Sequence, residues 1–264
     1  MMKKVFSVIL ALCILLVPMS ALAAATGTDA EVPADTGIPT GGKTIPETLT
    51  LESVADVAAY ILEPLRWCEI QISPAVLTTA EGEENVYFVA LRGAGLHMNK
   101  ANNAIACLYS AFNLESNYYR LARDSVFKYV PEGSKVVFAG HSLGGMIEQQ
   151  LSCAEEFTSK YELLNTLNMG SPAVMTKNEN REGTLVRCVD KQDVIPKLSP
   201  CVFVNLKHYN DCIKIDGGYL GDPNGAHNLS YMRDDLWGAY DVLGVKDGGA
   251  VITLQTADIA IIHA

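Results

Sequence analysis

The chain has few basic residues and no basic run beyond Lys3 and Lys4. It carries 20 Lys and Arg against 30 Asp and Glu, which gives a formal net charge of −10 and a pI near 5.0. Proteins that bind nucleic acid usually need a basic patch, because contacts to phosphates dominate their affinity. We therefore expect no nucleic acid among the partners.

The sequence also lacks the C-x-x-C spacing that is typical of zinc and thiol redox sites. It has 7 cysteines, of which Cys13 lies in the first apolar run. The other cysteines could form disulfides in an oxidising compartment, but the sequence does not choose among the pairings. We expect no metal and no cofactor.

Acidic residues are absent from the N-terminal segment. Two lysines precede an apolar run from Val5 to Val17, and Ala21-Leu22-Ala23 is the small-x-small pattern that signal peptidase cleaves after. Pro18 shortens the apolar span before that pattern. We expect a cleaved signal peptide at 1–23, secretion, and no transmembrane span after cleavage. An uncleaved membrane anchor is the alternative.

Large apolar side chains are scarce at 24–48, where Ala, Thr, Gly, Pro and acidic residues predominate. Such a composition cannot bury enough apolar surface to fold, so we expect a flexible leader there and one domain over 49–264.

Within that domain, continuous apolar runs alternate with segments of helical periodicity. Strands that are apolar on both faces and alternate with helices indicate an α/β fold with a mostly parallel sheet. The predicted strands are Val86–Leu91, Lys135–Ala139, Thr166–Met169 and Leu185–Val189, and the predicted helices lie within Leu51–Leu65, Asn113–Tyr129 and Met146–Phe157.

The segment Gly140-His141-Ser142-Leu143-Gly144 fits the G-x-S-x-G pattern of a nucleophile elbow, between a predicted strand and a predicted helix. A serine at such a turn has a strained backbone, and the flanking glycines remove Cβ clashes. The Leu143 N–H would then lie at a helix N-terminus, directed at an oxyanion. The pattern predicts that Ser142 is a nucleophile.

A serine hydroxyl needs a base, and the base needs an acid to orient it. In this architecture the order along the chain is Ser, Asp, His. We favour His227, in the turn-rich segment GDPNGAHNLSYM, over His208, which follows an apolar run. We rejected His141 as the base because its side chain points away from the Ser142 hydroxyl. For the acid, spacing alone leaves both Asp190 and Asp193 open.

Four segments in sequence order resemble the class 3, or fungal-type, lipase family of α/β-hydrolases. They are VYFVALRGA (86–94), VVFAGHSLGGMIEQQL (136–151), NMGSPAV (168–174) and DVIPKLSP (193–200). The resemblance implies an α/β-hydrolase fold with Ser142 as nucleophile, Asp193 as acid and His227 as base.

The resemblance also implies that the N–H groups of Leu143 and Ala94 form the oxyanion hole, and that about Gly95–Asn113 forms a lid. The alternative for that segment is an ordinary surface helix packed on the core. The family usually has Ser or Thr at the position of Ala94, so this chain lacks a side-chain hydroxyl there.

We therefore expect a secreted serine carboxyl-ester hydrolase, a lipase that cleaves acylglycerol esters through an acyl-enzyme at a lipid–water interface. A phospholipase A1 or a short-chain or polyester esterase would use the same residues. The alternative from another class is a secreted, non-catalytic binding protein on the same scaffold. The sequence does not determine the oligomeric state.

Overall fold

The computed structural model describes residues 46–63, 68–93, 100–175, 183–199, 201 and 212–263, without the side chains of residues 100–105. The predicted signal peptide, most of the predicted leader, Ala94 and His208 lie outside these residues. The expectations for them therefore remain predictions.

The described residues contain a 9-stranded sheet in the order β1-β8-β2-β3-β4-β5-β6-β7, with β9 paired to β2. The strands are β1 Thr48–Leu51, β2 Ile70–Thr79, β3 Gly82–Leu91, β4 Lys135–His141, β5 Glu162–Met169, β6 Thr184–Asp190, β7 Ile213–Ile215, β8 Val251–Gln255 and β9 Ala260–Ile262.

The α-helices in the described residues are α1 Val54–Leu62, α2 Lys100–Ala111, α3 Asn117–Tyr129, α4 Leu143–Leu151, α5 Glu155–Thr158, α6 Pro223–His227 and α7 Asp234–Trp237. A short 3-10 helix at Leu229–Met232 follows α6 directly.

The sheet is mixed. Strands β3 to β7 run parallel to one another, and these include all four strands predicted from the sequence. The other half, formed by β1, β2, β8 and β9, is antiparallel. The predicted α/β fold is confirmed, while the antiparallel half was not predicted. Its longest strand, β2, carries polar residues at several positions and so lacks a continuous apolar run.

Alternate residues of the central strands enter two separate apolar cores, one on each face of the sheet. In β4, Val137 and Ala139 join the core that contains α1 and Trp237. Val136 and Phe138 join the core that contains α3 and α4. Because side chains alternate between the faces of a strand, a strand buried on both faces reads as an uninterrupted apolar run.

The helix predicted at Met146–Phe157 begins earlier and is interrupted. Helix α4 begins at Leu143, directly after the serine of the elbow, and a second short helix, α5, begins at Glu155. The nucleophile elbow therefore lies at the carboxyl edge of the parallel half, where the loops after β3, β5 and β6 also begin. Open α/β sheets bind ligands at this edge.

Candidate active site

Ser142 connects β4 to α4 and has φ 55° and ψ −121°. A positive φ is uncommon outside glycine and costs on the order of 1–3 kcal/mol when the backbone is held there. The backbone N–H of Ser142 donates to the Met169 carbonyl at 2.9 Å, which ties the strained residue to the end of β5. The turn thus has the strained geometry that the G-x-S-x-G pattern predicts.

Two glycines make room for this turn. A Cβ on Gly144 would lie 2.2 Å from the carbonyl oxygen of Leu91, at the end of β3. A Cβ on Gly140 would lie 2.6 Å from the carboxyl group of Glu148. Both distances are far below contact, so only hydrogen fits at these positions and α4 can pack directly against β3.

The side chains of Ser142, His227 and Asp193 form a continuous hydrogen-bonded chain. His227 Nε2 lies 2.9 Å from Ser142 Oγ, and His227 Nδ1 lies 2.9 Å from Asp193 Oδ2. The Asp193 side chain is fully buried, while 17% of the His227 side chain is exposed. With the proton on Nδ1 directed at the carboxylate, Nε2 is free to accept the proton of the serine hydroxyl.

Three donors hold the Asp193 carboxylate in place. The Tyr231 hydroxyl and His227 Nδ1 both donate to Oδ2, and the backbone N–H of Ile195 donates to Oδ1 at 2.9 Å. Burial and the charge of Asp193 raise the pKa of Tyr231 well above its usual value, so its hydroxyl keeps its proton and remains a donor. The hydroxyl also accepts from the backbone N–H of Asp190.

Asp190, the other candidate acid, has different surroundings. Its Oδ1 accepts from the backbone N–H of Gln192 at 2.8 Å. Its Oδ2 is buried without a hydrogen-bond partner among the described residues, next to Gly217. The geometry therefore joins Asp193 and not Asp190 to His227. His208, the alternative base, lies outside the described residues.

The predicted oxyanion donors are described in part. Leu143 is the first residue of α4, so its N–H belongs to the group that has no acceptor within the helix. Gly93 lies against the nucleophile, since a Cβ on it would be 2.8 Å from Ser142 Cβ. The chain therefore leaves β3 beside Ser142, but Ala94 itself lies outside the described residues.

The predicted lid segment, about Gly95–Asn113, is described from Lys100 onwards as helix α2 and the turn after it. In the second half of the helix, Ala106, Leu108 and Ala111 are buried, which is the packing of an ordinary core helix, whereas Tyr109 is exposed. Whether the segment acts as a lid remains a prediction.

Sequence reasoning missed two residues that contact this site. Tyr231 was not named, although it follows His227 by four residues, a spacing that brings side chains to one face of a helical segment. His141 was considered only as a rejected base, yet its ring packs against His227 with 4.6 Å between ring centroids.

A buried acid lies directly beneath the elbow. Glu148, on α4, is fully buried and its Oε2 accepts from Asn168 Nδ2 at 2.8 Å. Burial raises the pKa of Glu148 well above its usual value, although the bond from Asn168 lowers it slightly. Glu148 Oε1 and Asn168 Oδ1 have no hydrogen-bond partner among the described residues.

A sequence model of the family described as Lipase (class 3) matches residues 86–203. The match covers less than half of the 264 residues of the chain. The match runs from β3 past the short 3-10 helix at Ile195–Leu198, so it includes Ser142 and Asp193 and ends before His227.

Solved structures similar to the chain are fungal lipases. The native propeptide complex of the Rhizomucor miehei lipase is 18% identical, with a TM-score of 0.30, over 70% of this chain and 76% of that one. A non-glycosylated Yarrowia lipolytica lipase is 14% identical, with a TM-score of 0.28, over 65% of this chain and 67% of that one. A search of curated proteins found no match.

The resemblance to class 3 lipases is confirmed over residues 86–203, where the match supports a lipase-type hydrolase. The mixed sheet flanked by helices confirms the predicted α/β fold. Within the residues that the structure describes, no helix has the length and apolar character needed to cross a membrane.

Proposed function

We propose that this class 3 lipase relative is a secreted serine carboxyl-ester hydrolase that cleaves acylglycerol esters. The observation that carries the proposal is the chain of two 2.9 Å hydrogen bonds from Ser142 through His227 to Asp193. It supplies an activated hydroxyl, a base and an orienting carboxylate in one line, which is the arrangement that acyl transfer to serine needs.

In this proposal Ser142 Oγ attacks the ester carbonyl carbon while His227 Nε2 takes its proton. The imidazolium that forms is stabilised by Asp193, whose charge is held by the hydroxyl of Tyr231 and the N–H of Ile195. The tetrahedral intermediate collapses, His227 gives the proton to the departing alcohol, and an acyl-serine ester remains. Water then enters, gives a proton to His227, and releases the carboxylic acid.

The negative charge on the carbonyl oxygen needs donors that are already in place. The Leu143 N–H is one, at the N-terminus of α4, where the helix dipole favours negative charge. The second is assigned to the backbone of Ala94, which follows Gly93 next to Ser142. Two preorganised donors of this kind typically contribute several kcal/mol to the transition state.

Apolar residues next to the acid and the base favour an apolar acyl group. Val194 follows Asp193 and Leu229 lies two residues after His227, and both are exposed. Leu220, in the loop before α6, is 90% exposed. Exposed apolar side chains on the segments that carry the acid and the base are what a lipid substrate at a lipid–water interface would contact. The family match points to the same substrate class.

The test is the initial rate of purified protein on p-nitrophenyl esters from acetate to palmitate, with Ser142→Ala as the matched control. We expect turnover that rises towards the longer acyl chains and falls to background in Ser142→Ala at unchanged thermal stability. A preference for acetate would identify a short-chain esterase, and release of one acyl chain from phosphatidylcholine a phospholipase A1. Equal rates above background in both proteins would contradict the serine mechanism, whereas no turnover on any ester would favour a non-catalytic binding protein.

Secretion is tested separately by sequencing the N-terminus of the exported protein. Cleavage after Ala23 is expected, whereas an intact N-terminus in the membrane fraction would indicate an uncleaved anchor.

A further inference from the structure

His141 connects the nucleophile elbow directly to the loop that carries His227. It is the last residue of β4 and the chain neighbour of Ser142. The residue is 2% exposed, and its Nε2 lies 2.6 Å from the backbone oxygen of His227. Its ring lies against the His227 ring at an interplanar angle of 43°.

The helix that carries His227 is short. Helix α6 has 5 residues and His227 is the last of them. A helix this short is not stable alone, and the last carbonyls of any helix have no partner within it. The hydrogen bond from His141 therefore satisfies a carbonyl that α6 leaves open, and it attaches α6 to the end of β4.

The hydrogen bond also determines the tautomer of His141. A carbonyl oxygen can only accept, so His141 Nε2 carries the proton and Nδ1 does not. The rings that face His141 are those of His227 and of Tyr231, the latter at 5.7 Å between ring centroids. Burial lowers the pKa of His141 well below its usual value, and the electrostatic effects of His227 and Arg92 lower it further, while the hydrogen bond to the backbone of His227 raises it.

We propose that His141 is a positioning residue for the base. Its Nε2–H holds the backbone carbonyl of His227, and its ring packs on the imidazole, so that His227 Nε2 remains at the hydroxyl of Ser142. The inference rests on the proposed function, because His227 acts as a base only in that mechanism.

Two variants separate the hydrogen bond from the ring. His141→Phe keeps a ring of similar volume and removes the donor. His141→Gln removes the ring, but its amide nitrogen reaches about as far as Nε2 and can donate to the same carbonyl. We expect His141→Phe to lower kcat on p-nitrophenyl butyrate by about 10- to 100-fold with KM within about threefold, because the loss falls on the transition state. His141→Gln should recover kcat to within about fivefold of wild type.

The second readout is the NMR signal of the Nδ1 proton that His227 shares with Asp193, measured in protein with ¹⁵N-labelled histidine. It should be sharp in wild type and His141→Gln, and broadened or lost in His141→Phe. If His141→Phe does not fold, His141→Asn, whose shorter amide does not reach the carbonyl, takes its place beside His141→Gln.

Two results would overturn the inference. One is a donor-free variant that keeps kcat within twofold of wild type with the His227 signal intact. The other is an equal loss in the donor-free and Gln variants at equal thermal stability. If wild type hydrolyses no ester, the proposed function is wrong, but the NMR signal still decides whether His141 positions His227.

Discussion

The hydroxyl oxygen of Tyr231 lies 2.9 Å from Asp193 Oδ2, the same carboxylate oxygen that accepts from His227. The acid at the end of the hydrogen-bonded chain is therefore held from two sides. Tyr231 is itself fully buried and stacked on Trp237, with 5.8 Å between ring centroids, so its hydroxyl has little freedom to move.

We expect Tyr231→Phe to lower kcat by about tenfold while KM changes little. The ring and its packing on Trp237 stay, but Asp193 loses a donor and the backbone N–H of Asp190 loses its acceptor. A buried donor left without a partner costs about 1–3 kcal/mol of stability, so the melting temperature should also fall. Steady-state kinetics and thermal unfolding measure both effects. Wild-type kinetics in a destabilised variant would mean that Tyr231 has a structural role only.

The two candidate acids are separated by a matched pair of substitutions. Asp193→Asn should lower kcat by roughly a thousandfold or more, because an amide facing His227 Nδ1 favours the wrong tautomer. Asp190→Asn should leave kcat within about threefold, since its carboxyl group contacts Gln192 and not the imidazole. Rates on a soluble p-nitrophenyl ester measure the difference, and the reverse order of effects would identify Asp190 as the acid.

Gly144→Ala should destabilise the fold by about 3 kcal/mol, because the new Cβ would meet the carbonyl oxygen of Leu91 at 2.2 Å. Displacing α4 from β3 would also move Ser142, so activity should fall with stability. Gly133→Asn is the control, since Gly133 lies in an exposed turn with φ +81° and open space around it. Urea unfolding compares the two, and a Gly144→Ala protein as stable as the control would contradict the packing argument.

Glu148→Gln should change how stability depends on pH. In wild type, burial keeps the folded-state pKa of Glu148 above its ordinary value of 4.5. Between these two pKa values the unfolded chain has lost the proton and the folded chain has kept it. The free energy of unfolding must then fall as pH rises, by up to about 1.4 kcal/mol per pH unit.

The Gln variant has no proton to lose and can still accept from Asn168. The free energy of unfolding of the Gln variant, relative to that of wild type, should therefore increase from pH 4.5 upwards. Urea unfolding at a series of pH values measures this difference. Parallel stability curves for the two proteins would show that Glu148 is ionised in the folded state.

The parallel half of the sheet could be read from the sequence because its strands are buried on both faces. Val136 to Ala139 must be apolar at every position when alternate side chains enter different cores. The antiparallel half could not be read in the same way. Strand β2 alternates between buried and partly exposed positions, and its partners β8 and β9 lie far away in the chain, so no local signal indicates the pairing.

In the candidate site too, some features follow from local sequence and others only from the tertiary structure. The sequence by itself determined the elbow, because Gly140, Ser142 and Gly144 depend on local backbone geometry and close packing, which restrict the residue types at fixed spacing. Only the tertiary structure shows that the Asp193 carboxylate, and not that of Asp190, lies at His227, although the two residues are only three positions apart. The loop after β6 directs the Asp193 side chain towards His227, whereas the Asp190 side chain accepts from the backbone of Gln192. The hydrogen bonds of Tyr231 to Asp193 and of His141 to the His227 carbonyl also depend on the tertiary structure. They join residues that are far apart in the chain, so no local sequence pattern indicates them.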